Sequence, residues 1–302
     1  MLAARLTASV SLLTAALLLL VFAAVACNAG PGSSSRARAS DEWTRSHPAA
    51  AGARVEIVNR NGAIRAEATD GPDVELVAKR TASARDDEAA RDLLAKLEMR
   101  ETVSEGAVRV EVVHPSTPHS GNIEVEWTVR VPHGVSVDLR SENGSISLAR
   151  LGAAVRARTA NGAVTGTALA SNRIDAKAVN GRVALELATP LTGAGSIVLS
   201  TVNGAVELRL PSESRATLSA SVTNGSARAE GLDLAPTGAR SRTRIEGTLG
   251  GGGTPVTLQT TNGSARIANA TPASTPPSEP PAPSATPPAQ DRARIADGAV
   301  SV

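Results

Sequence analysis

The chain has 302 residues, with 31 Lys plus Arg against 29 Asp plus Glu, 41% hydrophobic and 20% charged residues, enough for one large domain or two ordinary ones. Aromatic residues make up 1%, as two Trp, one Phe and no Tyr, so a core must be filled with Val, Leu, Ile and Ala; aromatic-lined ligand pockets and base-stacking platforms start with little support. A formal net charge of +2 and the lack of like-charge runs leave no electrostatic footprint for nucleic acid.

Residues 1–26 read as a bacterial secretory signal. Arg5 gives the positive start, and Val10 to Ala24 is an almost uninterrupted apolar stretch. It ends in Ala24-Val25-Ala26-Cys27, which resembles the lipobox of bacterial lipoproteins, with Ala24 where Leu is usual. That resemblance implies cleavage before Cys27 and fatty acylation (the palmitate class) of its sulfur and new amino group. A plain cleaved signal and an uncleaved anchor are the rival readings. Cys27 is the one cysteine in the chain, so acylation would leave the folded part free of thiols and disulfides. Each buried acyl methylene contributes about 0.8 kcal/mol, so several chains hold firmly to a bilayer. With Asn28 after the cysteine, the sorting rule of such lipoproteins implies the outer membrane, on its periplasmic or surface face. Residues 27–53, rich in Gly, Pro, Ser and Ala, read as the acylated Cys and a flexible tether.

Asn-Gly then occurs seven times, at Asn61-Gly62, Asn143-Gly144, Asn161-Gly162, Asn180-Gly181, Asn203-Gly204, Asn224-Gly225 and Asn262-Gly263. Between the first and second copies, Arg85 to Arg100 places Ala89, Leu93, Leu94, Leu97 and Ala90 near one helical face, with acids at its start; it reads as one short helix covering an end or side of the fold. Strands are expected over Val103–Val113 and Ile123–Val131. From Asn143 the steps are 18, 19, 23, 21 and 38 residues, and the last reads as two periods with Glu246-Gly247 as a degenerate copy. A fixed period near twenty residues marks a repeat architecture.

The flanks repeat with the corners. Six residues before each Asn stand Val55, Val137, Val155, Ile174, Ile197, Leu218 and Val256; four before stand Ile57, Leu139, Ala157, Ala176, Leu199, Ala220 and Leu258; three after stand Ile64, Ile146, Val164, Val183, Val206, Ala227 and Ala265. Alternation at period two on both sides of a turn reads as half-buried strands. Gly accepts positive φ and Asn tolerates the left-handed region, so the pair turns the chain sharply. On this basis Gly181→Val should cost on the order of 1–3 kcal/mol by forcing a β-branched residue toward positive φ. Two assemblies fit: an antiparallel hairpin meander or sandwich, or a stack of coils with like positions in columns and an Asn amide ladder.

The segments Val55-Glu56-Ile57-Val58-Asn59-Arg60-Asn61-Gly62-Ala63-Ile64, Asp70-Gly71, Val74 to Arg80, Val129-Arg130-Val131-Pro132-His133-Gly134 and the run of Asn-Gly copies together resemble the bacterial putative-adhesin β-strand-repeat family, related to toast-rack and head-domain adhesin repeats. The resemblance spans about 54–269. It implies an all-β fold, a parallel right-handed β-solenoid-like stack, which with the one short helix read above occupies residues 54–270, and it implies no catalytic residue and no established ligand. Residues 271–302, opening with a Pro, Ser, Thr and Ala tract, read as a disordered tail.

Chemistry-bearing clusters are sparse. His114 and His119 flank a Pro-rich loop and could hold a metal with His47 or His133, though an exposed loop explains them. No Gly-x-Ser-x-Gly elbow follows a strand. Asp86 and Asp87 fit the first turn of the helix, and the Gly250 to Gly253 run lacks the Gly-Lys-Ser/Thr ending of a phosphate loop. Asp138, Arg140, Arg156, Arg158, Asp175 and Lys177 could line one strand face in the manner of β-helix enzymes acting on acidic polysaccharides; alternating outward charges also simply solubilise such a fold. The expectation is therefore a lipid-anchored envelope scaffold, adhesin-like and without enzyme activity, metal or cofactor, whose partners are the membrane and an envelope glycan or protein. The alternatives are a carbohydrate-active β-helix enzyme and a partner of an envelope-stress sensor.

Overall fold

The computed structural model describes residues 36–49, 52–115 and 121–270. The signal, Cys27, His119 and the tail after residue 270 lie outside the described residues. The strands, in chain order, are β1 (Ala37–Pro48), β2 (Arg54–Asn61), β3 (Ile64–Thr69), β4 (Asp73–Ala84), β5 (Glu98–Ser104), β6 (Ala107–Val113), β7 (Asn122–Pro132), β8 (Ser136–Asn143), β9 (Ile146–Ala149), β10 (Val155–Asn161), β11 (Val164–Leu169), β12 (Arg173–Asn180), β13 (Val183–Leu187), β14 (Ser196–Asn203), β15 (Val206–Leu210), β16 (Ala216–Glu230), β17 (Ala235–Arg240), β18 (Arg244–Leu249) and β19 (Thr254–Asn269), with one helix, α1 (Asp87–Ala95), between β4 and β5. All nineteen strands join one mixed, open sheet.

Strands on the two sides of an Asn-Gly corner do not pair with each other, as a hairpin meander would require. Each instead runs parallel to the like strand of the next coil. The first ladder has the order β6-β2-β8-β10-β12-β14-β19-β16, and the second β7-β3-β9-β11-β13-β15-β19-β16. The long β16 and β19 pass through their corners and serve both ladders. Corner asparagines fall in register, Asn61 with Asn143, then Asn161, Asn180, Asn203, Asn262 and Asn224.

The sheet departs from an all-parallel stack at its ends. β1 pairs antiparallel with β4, and β4 with β7; β5 pairs with β6; β18 pairs with both β16 and β17. The last repeat is also out of sequence order: β19 inserts between β14 and β16. Glu246-Gly247 is accordingly no corner. It lies within β18, opposite Ser219 and Leu218 of β16, so the 38-residue step is filled by a capping hairpin, not by a degenerate coil.

Three other expectations are corrected. Residues 37–48, read as tether, form β1, because Ala37, Ala39, Trp43 and His47 turn half-buried toward the fold while the strand's backbone pairs along β4. The helix is shorter than Arg85 to Arg100. Asp86 Oδ1 accepts the Ala89 amide at 2.8 Å as its N-cap, Ala90, Leu93 and Leu94 are its buried residues, and Glu98 already belongs to β5. The expected strand over Val103–Val113 is split at Glu105-Gly106 into the β5–β6 hairpin.

The core lies between the ladders. Ile57, Leu139, Ala157, Ala176, Leu199, Leu258 and Ala220 are fully buried, as are Ile146, Val164, Val183 and Val206. The side chains recur by position, so each rung packs against the same column in its neighbours, and aliphatic bulk suffices without aromatics. Trp127 is the exception, 2% exposed. The other tryptophan described, Trp43 of β1, meets it edge-on at 5.8 Å between ring centroids, with the Arg45 guanidinium 4.7 Å from the Trp43 ring.

Candidate binding face

The corners are built by three columns. In the first, each Asn amide donates to the previous one: Asn143 Nδ2 to Asn61 Oδ1 at 2.9 Å, Asn161 to Asn143 at 2.8 Å, Asn180 to Asn161 at 2.9 Å, Asn203 to Asn180 at 2.8 Å, Asn262 to Asn203 at 2.8 Å and Asn224 to Asn262 at 2.9 Å. Asn61 donates at the far end to the Ile123 carbonyl at 3.2 Å. In the second column the glycines stack so closely that a Cβ on Gly181 would lie inside the carbonyl oxygen of Gly162, and one on Gly204 inside that of Gly181. Gly62, Gly162, Gly204, Gly225 and Gly263 have positive φ, but Gly181 does not. The reason for glycine at 181 is therefore close approach of backbones, not the left-handed conformation first expected.

The third column was not legible as a motif. Two residues before the corner, Ser141, Thr159, Thr201 and Thr260 turn buried hydroxyls onto glycine carbonyls of the preceding coil. Thr159 donates to Gly144 O at 2.8 Å, Thr201 to Gly181 O at 2.8 Å and Thr260 to Gly204 O at 2.9 Å. At the first corner Asn59 instead donates to the carbonyl of its own Gly62 at 3.1 Å and to that of Val125 in β7 at 2.9 Å. The signal was present: polar residues at a position that alternation makes inward.

The outward side of the first ladder brings together the six charged residues singled out in the sequence. Asp138 is 1% exposed. Its carboxylate accepts hydrogen bonds from Arg54 and from Arg140 at 3.2 and 3.3 Å, and Arg156 Nη1 stands 3.6 Å away. Arg156 also reaches Asp175 at 3.6 Å, which binds Arg158 Nη2 at 2.8 Å and Lys177 at 3.4 Å. A buried carboxylate is tolerated when paired and hydrogen-bonded in this way. Farther along the face, the hydrogen bond to Glu111 raises the Arg109 guanidinium above its ordinary pKa, with burial opposing and the bond to Glu56 adding to the rise.

Cations outnumber acids here. Arg173 has no ion pair or side-chain hydrogen bond among the described residues, and Arg54, Arg156, Arg173 and Lys177 line an open groove of ≈ 760 Å³ with Asp138 and Asp175. A second shallow groove, ≈ 520 Å³, continues over Arg158, Lys177, Ser200, Gln259 and Ser221, bordered by Val179 and Val202.

The described histidines, His47, His114 and His133, do not converge. His47 faces Glu101 and His133 Nε2 faces Asp70 at 3.2 Å. Burial lowers the pKa of the half-buried His114, with Arg60 adding to the effect and Glu142 opposing it. No three His, Cys, Asp or Glu side chains gather as a metal site among the described residues. Asp86 and Asp87 serve the helix start, and Gly250 to Gly253 connect β18 to β19 with positive φ throughout.

No family model matches the chain, and no curated protein matches it. Among solved structures it is similar to a putative cell adhesion protein from Clostridium sporogenes ATCC 15579, at 11% identity and a TM-score of 0.43, with 77% of this chain and 100% of that chain covered. It is similar also to a putative adhesin from Bacteroides fragilis NCTC 9343, at 12% identity and 0.37, covering 76% of this chain and 97% of that one. A putative lipid binding protein from Parabacteroides distasonis ATCC 8503 follows at 9% identity and 0.29, covering 76% and 97%. Likenesses of this size establish no shared function.

Proposed function

We propose that the chain is an exported, lipid-anchored β-repeat scaffold of the bacterial cell envelope that works by binding, adhesin-like, without catalysis. The observation that carries this reading is the register of the first ladder. Its strands hold outward side chains at a fixed rung spacing on one continuous face, a geometry suited to an extended partner more than to an enclosed small molecule. The parallel rungs support a solenoid-like stack for the repeat region, and right-handed coiling is the hand that parallel crossovers take. Cys27 supplies the anchor, placing the scaffold at a membrane, the outer one by its following Asn28. Among the described residues no helix is long and apolar enough to cross a membrane.

The test is envelope fractionation of the full chain in a bacterial host, with fatty-acid labelling and capture of envelope glycans. Labelling and membrane recovery that disappear in Cys27→Ala, together with glycan or protein capture by the unaltered chain, are the expected results. An unlabelled chain recovered wholly in the soluble fraction contradicts the anchor, and failure to retain any envelope component contradicts the binding role.

A second reading, a carbohydrate-active enzyme, draws on the placement of Arg156 between Asp138 and Asp175. Against it, the Asp138 carboxylate is buried beneath guanidinium groups and does not present itself as an acid or base. Release of shortened glycans would favour this reading.

A further inference from the structure

One row of the first ladder differs from every row beside it. Three residues before six of the seven corners, Arg140 of β8 stands in register with Arg158 of β10, then Lys177 of β12, Ser200 of β14, Gln259 of β19 and Ser221 of β16, while on the other side of Arg140 the row passes through Val58 of β2 to Glu111 of β6. From β8 to β16 all six side chains carry hydrogen-bond donors and none is an acid. Neighbouring strands lie about 4.8 Å apart, so the row crosses six strands over about 24 Å and its three cations span about 10 Å. Like charges in register on adjacent strands repel, and the fold tolerates them through Asp138 and Asp175, one row away. These two carboxylates hold the cations in place without covering them: Arg140, Arg158 and Lys177 remain 40, 40 and 46% exposed.

We infer that this row is the binding track for a linear acidic polysaccharide bearing carboxylates, laid across the strands. The inference rests on the binding role proposed above and names its ligand class. Guanidinium groups fork onto carboxylates, and a polymer with an acid on successive sugars presents charge at short regular intervals, as the cation row does. Beyond Lys177 the charge ends, and Ser200, Gln259 and Ser221 offer neutral partners for hydroxyl groups. Val179 and Val202, 44 and 42% exposed, border this part of the groove as an apolar rail for the carbon faces of the rings. The groove is open along the row from Arg158 to Ser221, which suits a chain that enters and leaves at both ends. Nucleic acid fits less well, because the groove has no aromatic residue in its lining on which bases could stack. The outward side of the second ladder lacks an equivalent row: Arg65 alternates with Glu67, Glu207 with Arg209 and Arg266 pairs with Glu230.

The experiment measures binding of the full-length chain, purified in detergent, to polygalacturonate, to the same polymer methyl-esterified, to dextran and to single-stranded DNA, each at low and high salt. Polygalacturonate should bind in a salt-sensitive manner, and esterification should weaken binding about tenfold or more. The double variant Arg158→Gln, Lys177→Gln should show a similar loss, while Arg65→Gln on the second ladder should bind as the unaltered chain does. Because the esterified polymer is tested on the unaltered protein, the result does not depend on the double variant folding. Equal binding of the acid and ester forms, or full binding by a folded double variant, overturns the inference. Tighter binding of DNA than of polygalacturonate overturns it in favour of nucleic acid. If envelope glycans are retained but polygalacturonate is not, the ligand class alone is wrong; if nothing from the envelope is retained, the binding role fails as well.

Discussion

At Gly181 the constraint is a distance, and it sets the first prediction. Even the methyl of Ala would enter the space of the Gly162 carbonyl, so Gly181→Ala should lower stability by about 1–3 kcal/mol, the usual range for overpacking. Chemical denaturation reads this directly, and an unchanged midpoint would show that the rungs can separate without cost. His114 gives a pH-dependent counterpart. Its pKa is lowered in the fold, so the unfolded chain binds the proton more tightly and stability should fall as pH drops below the ordinary imidazole value of about 6.5. His114→Gln should flatten that part of the pH–stability curve; identical slopes for the two proteins would remove His114 from the account.

Among the elements, β1 shows where the sequence could not be read. Ala37, Ala39 and Trp43 alternate, but Arg38, Ser40, Asp41 and Glu42 around them look like spacer, and the strand is held by backbone pairing to β4, by the ion pairs of Asp41 with Arg80 and of Arg45 with Glu101, and by one aromatic contact. Trp43→Ala removes the edge-on contact with Trp127 and part of the packing under it, which should cost about 2 kcal/mol. A urea titration that leaves the midpoint where it was would mean β1 is held by its backbone pairing and ion pairs without help from the aromatic contact. By contrast the Asn-Gly corners and their alternating flanks were legible, because one-residue errors of register would turn every core side chain outward. The hydroxyl column hid inside the same alternation: Ser141, Thr159, Thr201 and Thr260 looked like ordinary strand polarity, and only the approach of the glycine carbonyls gives them a role. The continuity of the donor row was also invisible from sequence. Arg140, Arg158 and Lys177 stood out as charges, but their alignment with Ser200, Gln259 and Ser221 depends on three-dimensional register.

For the molecule as a whole, the insertion of β19 between β14 and β16 changes what the C-terminal repeat does. Repeat proteins commonly tolerate the loss of a terminal unit, since each repeat contacts only its neighbours. Here the last repeat in sequence is an interior rung, carrying Asn262 in the amide ladder and Gln259 in the donor row. A chain truncated after Leu249 leaves β16 without its parallel partner and should lose cooperative unfolding; a native-like transition in that variant would mean that β16 can dock on β14 directly. The period of the sequence could not reveal this order, because Asn224 and Asn262 carry the same flanking pattern and either could have followed Asn203. The antiparallel β17–β18 hairpin at one end and β5 and β1 at the other supply the capping that exposed sheet edges demand.

The central claim is that the outward face of the first ladder binds an extended envelope partner and does no chemistry on it. The measurement that tests it most directly is retention of isolated envelope polysaccharide by the full-length chain, with size analysis of the polymer afterwards. Retention of intact polymer, sharply reduced by Arg158→Gln with Lys177→Gln and unaffected by Arg65→Gln, is the predicted result. Shortened polymer, or retention indifferent to both changes on the first ladder, would contradict it.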